Sequence, residues 1–195
     1  ETKIGGKDAL LELTGNTAYE RFSGPQIRKF YQDEPESYHE TSNISLVSSF
    51  IASVLAGKPT GIDPGDASGT NLMDISTQKW NHKLLEATAP NLAGKLLPIS
   101  NPQTTIGKIS SYFSKRYGFD SLCEILPFTG DNPSSLIGLG LIDPGRVALS
   151  LGTSDTLFAC MDEPRVSRTG EGCVFALPDD RNYMALVCFL NGSLA

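Results

Sequence analysis

The hydrophobic pattern of this 195-residue chain changes once, near residue 120, and that change limits what the chain can fold into. Before it, apolar residues recur at helical spacing; after it, they come in short runs with strand character. SGPQIRKFYQDE predicts a helix that Ser23 could cap and that must stop before Pro35. SNISLVSSFIASVLAG sets Leu46, Phe50 and Val54 at intervals of four, with Val47, Ile51 and Leu55 beside them, and Gly57 and Pro59 end it. STQKWNHKLLEAT predicts a helix with Trp80, Leu84 and Leu85 on one face, and IGKISSYFSKRYGF closes the helical part. LCEILPF, RVALSL, DTLFACM, CVFALP and YMALVCF then read as strands, with RVALSL-GTS-DTLFACM a hairpin on a tight Gly-containing turn. A soft boundary falls between Phe119 and Gly130, and no internal repeat is visible.

The early helices have almost no strand beside them to receive their apolar faces. A helical bundle could absorb those faces, or their sheet is encoded outside this chain. PTGIDPGDASGTNL, a connection of 14 residues, is expected to be ordered and functional at that length. A net charge of −6 without a Lys/Arg cluster argues against nucleic acid or an anionic membrane as partner. Cys123, Cys160, Cys173 and Cys188 form no CxxC pair and lie far from His39 and His82, so a zinc site is not expected. With no signal peptide and no long apolar segment, a reducing, cytoplasmic setting is the default.

FTGDNPSSL marks a strand giving way to a helix, which Asn132 could cap and Pro133 could open. Asp131 is needed for neither job. A carboxylate near a helix N-terminus is favoured by the dipole alone. The same dipole would keep it ionised at a strand's end, where it could take the proton of a substrate hydroxyl attacking phosphorus. In SLGTSDT, Gly152 permits a sharp turn whose amides, with Thr153 and Ser154, could converge on phosphate oxygens. That turn matches neither GxxxxGK[ST] nor GxGxxG. Arg21 could bond sugar hydroxyls, a carboxylate or a neighbouring acid. Asp63 and Asp66 read as turn carboxylates bonding their own backbone rather than as metal ligands. Neither histidine stands near a GxSxG serine, so a Ser–His–Asp hydrolase is not supported.

Taken in order, AYERFSGPQIRKFY, ISLVSSFIASVLAG, DASGTNLMDI, ISSYFSKRYGF, FTGDNPSSL, SLGTSDTLF and YMALVCFLNGSL resemble the eukaryotic xylulokinase branch of the FGGY carbohydrate kinases. The resemblance implies an α/β, actin-like (ribonuclease-H-like) ATPase fold that is incomplete: the end of a sugar-binding domain over 1–124 and the start of an ATP-binding domain over 125–195. By the same resemblance Asp131 is the catalytic base, and Arg21, Asp131 and Asn132 bind the sugar. Gly152, Thr153 and Ser154 face the nucleotide phosphates, and no residue here is assigned as a metal ligand. The implied reaction phosphorylates D-xylulose to D-xylulose 5-phosphate with ATP and Mg²⁺. Family members open with an acidic residue and Gly-Thr on a first strand, and carry adenosine-binding glycines further on. Neither is in this sequence, so the chain is expected to be an internal fragment, inactive alone. Two other readings stay open: a non-catalytic sugar-binding or interaction module, and a kinase of the same family acting on another sugar or polyol.

Overall fold

The structure, a computed structural model, describes residues 1–152 and 154–190. The first part is helical: Lys7–Thr14 (α1), Ser23–Asp33 (α2), Pro35–Glu40 (α3), Val47–Ala56 (α4) and Pro64–Ser68 (α5). Met73–Asp74 (β1) and Lys79–Trp80 (β2) form a small hairpin before His82–Thr88 (α6). Gly107–Lys108 (β3) pairs with Glu124–Ile125 (β4) around Ser111–Tyr117 (α7). Asp131–Gly138 (α8) then leads to Val147–Ser150 (β5), Ser154–Met161 (β6), Cys173–Ala176 (β7) and Tyr183–Leu190 (β8). These last four strands make one antiparallel sheet in the order β5-β6-β8-β7.

Local chemistry explains most boundaries. Helix α4 stops at Gly57, whose φ of 70° is the left-handed conformation glycine supplies without strain. Asn81 caps α6 by accepting from the Lys83 and Leu84 amides, so the helix starts later than the sequence suggests and Trp80 belongs to β2. Trp80 donates its indole N–H to Leu97 O at 2.9 Å and packs beside the core instead of lining a helix. Ser23 is the first residue of α2 and makes no cap; Phe22 precedes it in extended conformation. The segment IGKIS is strand and loop, with α7 beginning only at Ser111.

The helices solve their packing in two ways. Leu10, Ile27, Tyr38, Leu72, Leu84 and Leu85 form one helical core, with the Tyr38 hydroxyl donating to Pro90 O at 2.8 Å. Helix α4, in contrast, leaves Val47 at 81% and Phe50 at 56% exposure, and Ile51 and Val54 exposed beside them. On the other side, Leu136 of α8 is fully buried against Phe158, Cys160, Phe175 and Met184 of the sheet. The two parts are joined at the edge strand β7. The Val174 amide donates to Gly15 O at 3.2 Å, and the Ala176 amide to Ser68 Oγ at 2.9 Å. Ile62, Ala67, Met73 and Ile75 bury themselves against Val174, Ala176 and Tyr183 at the same seam.

Candidate active site

The site is built around α5. Pro64 has no amide to satisfy at the helix start, so Asp63 caps the next two: its Oδ1 accepts from Gly65 N at 2.8 Å and Asp66 N at 3.4 Å. The same oxygen accepts the Thr129 hydroxyl at 2.6 Å, fastening the loop before α8 to α5. Gly65 makes room for this, since a Cβ there would stand 2.8 Å from both Asp63 Oδ1 and Thr129 Oγ1. Asp63 is only 1% exposed and its Oδ2 has no hydrogen-bond partner among the described residues. Burial pushes the Asp63 carboxyl up to about 6, against the pull of the Thr129 hydroxyl and the Gly65 and Asp66 amides.

Asp131 stands next along the chain, exposed at the first position of α8. The cap is Gly130, not Asn132, and Pro133 lies two residues inside the helix. Asp131 Oδ1 itself accepts the Asn132 amide at 2.9 Å, a local role that its sequence context does not announce. One helix-end amide and the positive end of the helix thus face an exposed carboxylate. Asp66 lies behind it. Burial raises the proton affinity of Asp66; the hydroxyl of Ser48, donated to Oδ2, opposes this, and the Asp131 charge adds to it.

The other expected site residues belong to other elements: Arg21 precedes α2, Gly152 follows β5 and Ser154 opens β6. Arg21 is exposed, with its guanidinium 5.9 Å from the centroid of the Tyr19 ring. It lines a groove with Gln26, Asn43, Ser45 and Leu46. Among the described residues no hydrogen bond or ion pair joins Arg21 to Asp131. Gly152 donates its amide to Asp155 Oδ1 at 3.1 Å, and Ser154 opens β6; Thr153 lies outside the described residues. The bend therefore sits at the Ser154 end of β6. Helix α5 meets the Ala176 end of β7, through Ser68 and the close approach of Gly65 to the Ala176 carbonyl, and Tyr183, the partner of Ala176, pairs with Met161 at the far end of β6. Seven residue steps separate those two ends of β6, roughly 23 Å at the usual rise.

Sequence reasoning missed Ser48, Thr129 and the placement of Asp66. The Asp63-Pro64 pair was a legible cap signal, and Asp63 does bond its own backbone. Its second bond, to Thr129, carried no local signal. Among the described residues no group of three or more His, Cys, Asp or Glu side chains is arranged to hold a metal ion.

Known proteins share this architecture. Residues 2–138 match the N-terminal domain of the FGGY family of carbohydrate kinases. The chain is 49% identical over its whole length to the xylulose kinase of Rattus norvegicus, covering 36% of that protein. In three dimensions it is similar to the xylulose kinase of Rhodospirillum rubrum, with a TM-score of 0.86 at 17% identity, over 96% of this chain and 38% of the other. The glycerol kinase of Plasmodium falciparum, solved with ADP, gives a TM-score of 0.85 at 21% identity, over 96% and 38%. The two structural matches speak for the fold alone: part of an α/β, actin-like kinase fold. The chain spans just over a third of the length of the curated relatives it matches.

Proposed function

Since the chain belongs to the FGGY family of carbohydrate kinases, we propose that the protein phosphorylates D-xylulose to D-xylulose 5-phosphate, with ATP as donor and Asp131 as general base. The observation that carries this reading is an exposed carboxylate at the head of α8, backed by helix amides and by the buried Asp63–Asp66 cluster. Phosphoryl transfer asks little covalent help of a protein; it asks for an in-line hydroxyl and stabilised charge. Asp131 accepts the hydrogen bond of the sugar's terminal hydroxyl, aims that oxygen and takes its proton as the bond to phosphorus forms. Asn132 and Arg21 bind the remaining hydroxyls. ATP supplies the phosphoryl group, and Gly152, Thr153 and Ser154 are the residues proposed to face its phosphates, with Gly152 following β5 and Ser154 opening β6.

Mg²⁺ is proposed as an ion carried on the nucleotide, since the described residues offer no three-ligand cage for it. The sugar-binding part is taken as 1–124 and the nucleotide-binding part as 125–195; its support is that the four-stranded sheet lies wholly within the latter. This chain by itself is proposed to turn over little or no sugar, in keeping with its spanning just over a third of the length of the curated relatives it matches. A cytoplasmic setting is proposed with it, in keeping with four free cysteines and with the lack of any membrane-crossing helix among the described residues.

The second reading is the same chemistry on another sugar or polyol, since the family is one of carbohydrate kinases at large. An ADP-release assay on the protein expressed at full length, with a panel of ketoses and polyols, separates the two. The reading expects the highest kcat/KM with D-xylulose; no xylulose-dependent signal removes it.

A further inference from the structure

We propose that Ser48 and Asp66 form a positioning pair that fixes the Gly130–Asp131 turn, and through it the Asp131 carboxylate; this rests on the reading of Asp131 as the base. Asp66 Oδ2 receives the hydroxyl of Ser48 from the first turn of α4. Its other oxygen faces Gly130, where a Cβ would lie 2.6 Å from Oδ1. Gly130 has φ −69° and ψ 166°, extended backbone that any residue can adopt. The missing side chain therefore answers to the approach of Asp66 and not to the path of the chain.

The contact joins two parts of the proposed site. Ser45 and Leu46, just before α4, line the groove that holds Arg21. Ser48 links that turn to Asp66, and Asp66 fills the space in front of Gly130, one residue before Asp131. A continuous packed path thus runs from the groove to the head of α8. A general base acts only within hydrogen-bond reach of its proton, and a small displacement there costs turnover more than affinity. Asp66 acts through Gly130, so it is a positioning residue.

The test uses the full-length protein and measures kcat and KM for D-xylulose in Asp66→Ala, Asp66→Asn, Gly130→Ala, Ser48→Ala and the double variant Asp66→Ala/Gly130→Ala. Asp66→Ala is expected to lower kcat about 10- to 100-fold with KM within about threefold. Asp66→Asn keeps an oxygen for Ser48 and nearly the same volume, so it recovers most of that loss. Gly130→Ala alone is equally harmful, because its Cβ meets Asp66, yet adds little where Asp66 is already Ala; contact pairs are non-additive in this way. Ser48→Ala, at a half-buried position, keeps the test open should Asp66→Ala not fold, with kcat expected down about 3- to 10-fold. Wild-type kcat in Ser48→Ala, losses confined to KM, or additive effects of Gly130 and Asp66 overturn the pair while leaving Asp131 as base. Near-normal turnover in Asp131→Asn overturns the base reading and the pair with it.

Discussion

Thr129 donates its hydroxyl to Asp63 Oδ1 at 2.6 Å, across 66 residues of sequence, and so ties the approach to α8 onto the cap of α5. The Asp63 carboxyl is shut away from solvent there, and burial raises its pKa from an ordinary 3.8 to about 6. The folded state therefore takes up this proton at higher pH than the unfolded chain. The resulting stabilisation is present below pH ~4, is lost as pH rises through ~6, and stays absent above. Asp63→Asn keeps an Oδ1 for the Gly65 and Asp66 amides but has no proton to lose. Its stability should fall less than that of the wild type between those pH values. The difference is up to about 3 kcal/mol, since each tenfold change in proton affinity is worth roughly 1.4 kcal/mol. Urea unfolding across that range checks this; parallel profiles for the two proteins would contradict it.

Asn16 should matter to stability although it is polar. It is fully buried, and its Nδ2 donates to Thr14 O, Ser68 O and Val174 O at 2.9, 3.3 and 3.1 Å, where the helical part meets β7. Asn16→Ala strands these carbonyls without a donor and is expected to cost about 1–3 kcal/mol. A urea midpoint unchanged from wild type would show that the Asn16 bonds add nothing to the seam.

Helix α4 carries Val47, Phe50, Ile51 and Val54 in the open. Such a face is large enough to bind a hydrophobic dye when the 195-residue chain is expressed by itself. Phe50→Ser with Val54→Ser should cut the dye signal severalfold and leave the melting temperature of that chain nearly unchanged. A wild-type chain that binds no dye and melts as a sharp two-state monomer would contradict the exposed face.

The strands after residue 120 are legible in the sequence because each is a short apolar run bounded by turn residues, and the hairpin across Gly152 needs only local information. The start of α8 misleads for an equally local reason. Asn132 is the better cap by type, but Asp131 takes its amide and leaves Gly130 as the capping residue. Trp80 sits at helical spacing from Leu84, yet Asn81 starts the helix after it. The candidate site is legible only at Asp131 itself. Ser48, Asp66 and Thr129 reach it through contacts such as Ser48–Asp66 and Asp63–Thr129, which close loops of different lengths and leave no periodic trace.

The role of Asp131 is open to one direct measurement: D-xylulose-dependent ADP release by the full-length protein beside its Asp131→Asn variant, with sugar binding measured on both. The account predicts turnover lowered about 100-fold or more, the scale of a lost general base, with sugar affinity within about tenfold. Turnover near that of the wild type would make Asp131 a helix-end carboxylate and nothing more.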